Sequence, residues 1–494
     1  ADSRVLGTGE VALRLPSALA GIVTVPVAWG IGAHVAGPSP ASRRRAAIAC
    51  ATLVSVNPLL VWYSQEARAY GLFVLTGALA MLCFLRAAAR PTARRMAVFA
   101  LAGALALLTH YFAVFLLIPM ALWLLWQPRT RRPALAALAA IALVGAALLP
   151  LISAQGGHGT QWIGRWPLVQ RLEAIPQYYL TGYTGAALGH GIELLVALPI
   201  LAALALGLWR MTDPRPAGAL GAGAASASPS PASARPPAGA LARGGGGERA
   251  AAPPSRERAA EQARGPQQAR GLLLALAIAA CGVLIPIVLV AFGADYLAPR
   301  NLVAAMIPVT AVIAGVGVWP RGRVLAPGAA AVAALVAVAV AFLAITVDVD
   351  LSPRLQRGNW RDLARALARA PSERAIGTVE LGTTPLEYYL PGLHGLHART
   401  AVRVREIDET GYAPLRASAA SPPAPGFRLL ARLDVDGLIA YRFVSPVPRL
   451  VSEATLRRHV IASEGTPEVL VPAGARVSAT GTSVRSGNTE PVTG

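Results

Sequence analysis

A succession of long apolar runs separated by short arginine clusters constrains this chain more than any other feature. Runs of spanning length can be drawn at about 11–33, 45–62, 70–89, 96–109, 112–126, 134–152, 191–209, 271–293, 301–319 and 327–346, against a requirement of roughly 20 residues per helical crossing. The fourth and fifth are short. Taken as one helix, Met96 to Trp126 would measure roughly 46 Å, too long for a single crossing. A tight hairpin near His110 is therefore expected. With 54% hydrophobic and 14% charged residues in 494, the chain is far from an ordinary soluble domain, which is about 25% charged. The expected fold class is an α-helical polytopic membrane bundle of about ten spans with a small C-terminal α+β domain.

Charge orients that bundle. The formal charge is +20, and the first 346 residues hold 27 arginines against 10 acids while the remainder holds 18 against 15. A nucleic-acid binder gathers its arginines on a polar surface among aromatics. Here Arg43-Arg44-Arg45, Arg86/Arg90/Arg94/Arg95, Arg129/Arg131/Arg132, the 210–270 segment and Arg321/Arg323 fall in every second loop. Cytoplasmic loops are marked in this way, so the reading is no nucleic acid and a multi-pass protein of the cell membrane. The other loops are then extracytoplasmic. The three cysteines, Cys50, Cys83 and Cys281, lie in apolar runs without metal-ligand spacing and read as buried small hydrophobes.

Five regions follow. Residues 1–209 form the first part of the bundle, with outer loops at 57–70, 109–112 and 153–190. Residues 210–270, rich in Ala, Gly, Pro and Ser, read as a disordered cytoplasmic loop. Residues 271–346 supply the last three spans. Residues 347–472 turn polar, with a helix from Trp360 to Ala370 and strand-like alternation at Leu438 to Val444, and read as an extracytoplasmic α+β domain. Residues 473–494 read as a disordered tail.

The chemistry-bearing residues gather in the outer loops. Asn57-Pro58-Leu59-Leu60-Val61-Trp62-Tyr63-Ser64-Gln65-Glu66-Ala67-Arg68-Ala69-Tyr70 puts a carboxylate, a guanidinium, an amide and two phenols at one end of an apolar hairpin. Ionisable groups at membrane depth are costly and tend to be functional. The plainer alternative is a structural Glu66–Arg68 ion pair inside an aromatic belt. Thr109-His110-Tyr111-Phe112 and Asp295-Tyr296-Leu297-Ala298-Pro299-Arg300-Asn301 lie on the same side, as do His158, Trp162, Arg165, Trp166, Glu173, Tyr178 and Tyr179. Arginine fits phosphate through paired charge-assisted bonds. Asp295 and Arg300 read equally as a solvated pair at a span end.

Gly9-Glu10-Val11-Ala12-Leu13-Arg14-Leu15-Pro16-Ser17-Ala18, Gln65-Glu66-Ala67-Arg68 in its loop, and Thr109-His110-Tyr111-Phe112 resemble the GT-C superfamily of polytopic glycosyltransferases. The likeness is to family 39, the bacterial relatives of polyprenyl-phosphate-mannose protein mannosyltransferases and of lipid A aminoarabinose transferase. Tyr296 to Asn301 resembles that family's later aromatic–arginine loop, and Gly358 to Leu363 with Tyr388-Tyr389-Leu390 resemble landmarks of its outer domain.

The resemblance implies inverting transfer of a sugar from a polyprenyl-phosphate donor to a protein, glycolipid or polysaccharide acceptor, in contact with membrane lipid. It implies Glu66 as an acidic residue of the site. Arg68 and Arg300 would serve the phosphate, with Gln65, Tyr63, Tyr70, His110, Tyr111 and Tyr296 as binding neighbours. A divalent metal ion is an expected cofactor without an identified ligand set. The family's principal acid sits in a first outer loop that would precede Ala1, so residues 1–494 are expected to be catalytically incomplete. The competing expectations are a membrane scaffold or assembly protein, insensitive to loss of Glu66 and Arg68, and a lipid-linked sugar transporter. Charge-poor midspans without a repeat count against the transporter.

Overall fold

The structure is a computed structural model that describes residues 9–36, 40–155, 163–164, 166–183, 191–212, 256–318, 326–368, 373–412, 415–463 and 465–479. The chain divides into two compact units, 1–347 and 348–494, each described on its own.

The first unit is helical. Helices α1 (Glu10–Val35), α2 (Pro40–Val56), α3 (Pro58–Ser64), α4 (Tyr70–Ala89), α5 (Ala93–Thr109), α6 (Ala113–Trp126) and α7 (Pro128–Gln155) are followed by α8 (Leu168–Thr181), α9 (Gly191–Thr212) and α10 (Arg256–Ala291). A tight helical turn at Pro299–Ala305, α11 (Met306–Gly317) and α12 (Ala326–Leu351) complete it.

Among the described residues seven helices are long and apolar enough to cross a membrane, and an eighth crossing arises if the bent pair α2–α3 is one span. The expected ten crossings are thus reduced. At 17 and 14 residues, α5 and α6 measure only about 25 and 21 Å against a hydrocarbon core of about 30 Å. The chain does break at His110 as expected: the Ala113 N–H donates to the His110 carbonyl and the Val114 N–H to that of Tyr111. Helix α10 begins at Arg256, inside the stretch expected to be an unstructured loop. Residues 213–255 of that stretch, and Arg321 and Arg323, lie outside the described residues.

Lipid-facing and packed surfaces separate along sequence lines. Leu101, Leu122, Leu143 and Leu195 are well over half exposed, as an apolar belt in hydrocarbon requires. Helices meet where a side chain is absent. A Cβ on Gly32 would stand 2.5 Å from the Ala46 carbonyl oxygen, and one on Gly207 would stand 2.3 Å from that of Val316. With lipid as apolar as leucine, such close backbone contact is what favours helix association in a membrane.

The second unit is a mixed sheet with strands β1 (Arg374–Val379), β2 (Leu393–Gly395), β3 (Thr400–Gly411), β4 (Arg428–Val435), β5 (Leu438–Ser452), β6 (Pro467–Pro472) and β7 (Val477–Ala479). The order is β2-β6-β1-β3-β5-β4, with β7 also on β3, and β1–β3 is parallel. Strand β7 falls in the region expected to be a tail; residues 480–494 lie outside the described residues. Alternate strand residues feed two cores. Ala375, Phe443 and Val469 face one. Ile376, Ala440 and Leu470 face the other, against α13 (Trp360–Ala368) and α14 (Glu380–Tyr389). The two-residue turn Asp436-Gly437 has both φ angles positive, 35° and 82°, the geometry that matches hairpin twist. Asn359 caps α13 by accepting from the Asp362 N–H and donates to the Asp436 carboxylate, tying that turn to the helix.

Candidate active site

The bend that exposes the Glu66 loop is written in Asn57-Pro58. A residue before proline is pushed out of the helical region, and Asn57 sits at ψ 121°. Its side chain accepts from the Leu60 N–H at 3.0 Å, starting α3 with proline at the first helical position, where its missing N–H costs nothing. The result is a 59° break between α2 and α3. Because Leu60 has turned to Asn57, the Val56 carbonyl loses its ordinary helical donor; it accepts from the Thr346 hydroxyl on α12 at 3.1 Å instead.

After α3 the loop 65–69 is held by backbone contacts. The Gln65 N–H donates to the Trp62 carbonyl at 3.2 Å, and Ser17 on α1 donates its hydroxyl to the Arg68 carbonyl at 3.0 Å. Gly71 lets α4 start against α1, since a Cβ there would lie 3.2 Å from both the Ser17 and Tyr63 carbonyl oxygens. Glu66 and Arg68 do form an ion pair, but at 3.8 Å and with Arg68 half exposed. A pair of that kind contributes at most about 1 kcal/mol. The backbone therefore fixes the loop, and the Arg68 guanidinium remains able to turn toward a ligand.

Aromatic rings connect this loop to three others. Tyr63 meets Tyr70 at 4.9 Å, Trp62 stacks on Tyr183 at 5.0 Å, and Tyr178 meets Tyr183 edge-on at 5.5 Å. Tyr70 approaches His110 at 5.7 Å, His110 meets Phe112 at 5.1 Å, and Phe112 reaches Tyr296 at 6.1 Å. Gly182, at φ +86°, closes α8 against Pro58 and so delivers Tyr183. Each such pair contributes about 1 kcal/mol beyond its area, and together they bring the ends of α3, α4, α5 and α8 to one place. The Tyr63 hydroxyl is buried there without a hydrogen-bond partner among the described residues.

The cations lie around this aromatic track. The charge of Arg300 acts on Tyr70, His110 and Tyr178 alike, which places it centrally, and that of Glu66 acts on Tyr63 and Tyr70. His110, in the turn between α5 and α6, stacks on Phe73 at 4.5 Å. Burial, with Arg300 adding to it, lowers the imidazole to about 4, so the ring is neutral at physiological pH. Its Nδ1 accepts from the Phe112 N–H at 3.4 Å, leaving Nε2–H as a donor.

Asp295 has a structural role. It is held by Arg171 of α8, with Nη1–Oδ1 at 2.5 Å and Nη2–Oδ2 at 2.9 Å. That hydrogen-bonded partner keeps the carboxyl below its usual range. The expected pair with Arg300 at the span end is replaced by this pair with Arg171. Arg171 also donates to the Leu297 carbonyl, and the Tyr179 hydroxyl to that of Leu302 at 2.7 Å. Between them they seat the segment that carries Arg300.

Of the residues singled out from sequence, Tyr63, Glu66, Tyr70, His110, Tyr296 and Arg300 come together, with Gln65 and Arg68 on the same loop. Tyr111 turns away, its hydroxyl donating to Gln155 at 3.0 Å. Trp166 bonds Gln170, while His158, Trp162 and Arg165 lie outside the described residues. Sequence reading missed Ser17, Arg171 and Tyr183. Only Gly182, a helix stop directly ahead of an aromatic, was a signal for the last. Among the described residues no group of three His, Cys, Asp or Glu side chains is placed to hold a metal ion.

A helical unit with several membrane-length apolar helices, whose ends bring aromatic, acidic and arginine side chains together, defines a polytopic membrane protein. Residues 3–155 match the family model described as Dolichyl-phosphate-mannose-protein mannosyltransferase, of the GT-C type to which the motifs pointed. Over these residues the chain is similar to a family of membrane mannosyltransferases. The match takes in α1 to α7, with Glu66, Arg68 and His110; Arg300, Tyr178 and Tyr183 lie beyond it. No curated protein and no solved structure matches the chain.

Proposed function

We propose that this protein transfers a sugar from a polyprenyl-phosphate donor to a protein, glycolipid or polysaccharide acceptor, by inverting displacement at the extracytoplasmic face of the cell membrane. The observation that carries the reading is the convergence of Arg300, His110, Tyr70 and the Glu66–Arg68 loop at one end of the helical unit. Residues 348–479 stand on the same side of the membrane in this reading, where they cover or select the acceptor.

The leaving polyprenyl phosphate gains negative charge as the glycosidic bond breaks, and stabilising that charge is the largest demand of the step. Arg300 meets it with a planar fork suited to phosphate oxygens, and His110 adds a neutral Nε2–H. Arg68, half exposed, swings in as the second cation. Tyr70 and Tyr183 offer faces to the sugar or to the isoprenoid, with Tyr63 buried behind them. The acceptor hydroxyl needs a carboxylate to take its proton, and Glu66, 15% exposed, is the acid within this cluster.

The test is transfer from a radiolabelled polyprenyl-phosphate-mannose donor by the purified chain in lipid nanodiscs. Glu66→Gln and Arg300→Ala should each lower the rate by about a hundredfold with unchanged melting. Full activity in both variants would remove Glu66 and Arg300 from the chemistry, and no transfer by the wild-type chain would replace the enzyme reading with the scaffold one.

A further inference from the structure

The arginine loops contain a site of their own. Arg43 from α2, Arg86 and Arg90 from the end of α4, Arg95 from α5, Arg129 from α7 and Arg270 from α10 line one cavity of about 570 Å³. None of the residues lining it is acidic, and no carboxylate of the described residues pairs with any of the six. Backbone carbonyls aim part of the set. Arg43 Nε–H donates to Ala33 and Arg95 Nη1–H to Arg86, both at 3.0 Å, which leaves the remaining N–H groups of each fork available. The walls beneath are apolar, including Leu85 and Leu274, with Trp123 beside them.

Membrane topology explains the number of arginines in these loops but not their convergence. Arg44, Arg45, Arg94, Arg131 and Arg132 satisfy the same rule and stay outside the cavity. Like charges about 10 Å apart repel by about 1–2 kcal/mol per pair near a protein surface, so five elements pointing guanidiniums into one hollow is unfavourable without an anion. Basic pockets between helices with apolar floors suit phosphorylated head groups, and the volume exceeds that of a single phosphate several-fold.

We infer that this cavity is a binding site for a multiply charged phosphate ester, with the arginine forks on the phosphates and the apolar wall beneath its organic part. The chemistry is shared by the head group of a two-phosphate phospholipid and by a soluble polyphosphate, and the experiment separates them. The full chain is melted in phosphatidylcholine nanodiscs, in the same discs containing diphosphatidylglycerol, and in plain discs with inorganic pyrophosphate. The site predicts a raised melting temperature with one of the two phosphate sources, which also identifies it.

Arg86→Gln with Arg129→Gln should weaken that binding roughly tenfold. Arg44→Gln with Arg132→Gln, the same charge removed outside the cavity, should leave it unchanged. The paired lysine variants, which keep charge without the fork, should fall between. No stabilisation of the wild-type chain by either source, or equal loss in the cavity and control variants, would overturn the inference. The wild-type comparison stands even if a variant fails to fold.

Discussion

His110 shows what a single residue can and cannot declare. In the sequence it is one imidazole at a hairpin tip, equally suited to capping and to chemistry. The structure places its ring against Phe73, Tyr70 and Phe112 under the influence of Arg300, and burial holds it neutral above a pKa of about 4. Above that value it donates through Nε2 and is not a titrating acid. The transfer rate should therefore show no inflection from His110 between pH 5.5 and 7.5. His110→Phe should keep the stacking and lose about tenfold in rate, and His110→Asn should lose less. A histidine-like inflection that disappears in His110→Phe would refute the neutral donor. The Glu66 loop was legible because its residues are adjacent in the chain. Arg171 was not, because its meaning depends on Asp295, 124 positions away, and no local pattern announces such a partner.

Elements were legible to the extent that backbone rules act locally. Asn57-Pro58, the His110 break, the Asp436-Gly437 hairpin and the α13 start at Asn359 all follow from short-range sterics or capping. The crossing count was less so, since apolar runs at 96–109 and 112–126 look like spans until their lengths are fixed by the turn between them. Asn57→Ala should remove the cap on Leu60 and cost about 1 kcal/mol, seen as a lower melting temperature. In the sheet, strand β3 buries Glu406 beside Asp408, while Arg442 on the opposing strand donates to Asp408 at 2.7 Å. Desolvation, then the neighbouring carboxylate, raises Glu406 to about 7. A raised carboxyl favours folding when protonated, so its contribution is complete below the ordinary value near 4.5 and is lost as pH climbs through about 7. The loss amounts to about 3 kcal/mol at most. Hydrogen exchange at β3 and β5, corrected for intrinsic rate, should show more protection at pH 5 than at pH 8. Glu406→Gln should flatten the difference, and an unchanged difference in that variant would assign it elsewhere.

For the whole helical unit, the sequence announces a division of labour that the structure realises in space. Arginine loops from separate helices share one cavity, and the acid-, phenol- and imidazole-bearing loops share one aromatic track. Alternation of loop types along the chain made this readable; the choice of which arginines converge did not follow from it, because that depends on helix rotation. Sidedness can be checked with single cysteines at positions 132 and 296, introduced after Cys50, Cys83 and Cys281 are changed to alanine. An impermeant thiol reagent added outside intact cells should label 296 and spare 132. Labelling of both from the same side would dismantle the two-ended arrangement.

The bond from Thr346 to Val56 spans 290 positions, and Arg300 also comes late in the chain. A ribosome delivers the Glu66 loop early but the residues that steady and complete it only near the end of the bundle. While it is being made the protein thus passes through a long interval in which the Glu66 loop is already in the membrane and Arg300 is not, so under the proposed function a nascent chain meets its donor before the site is complete.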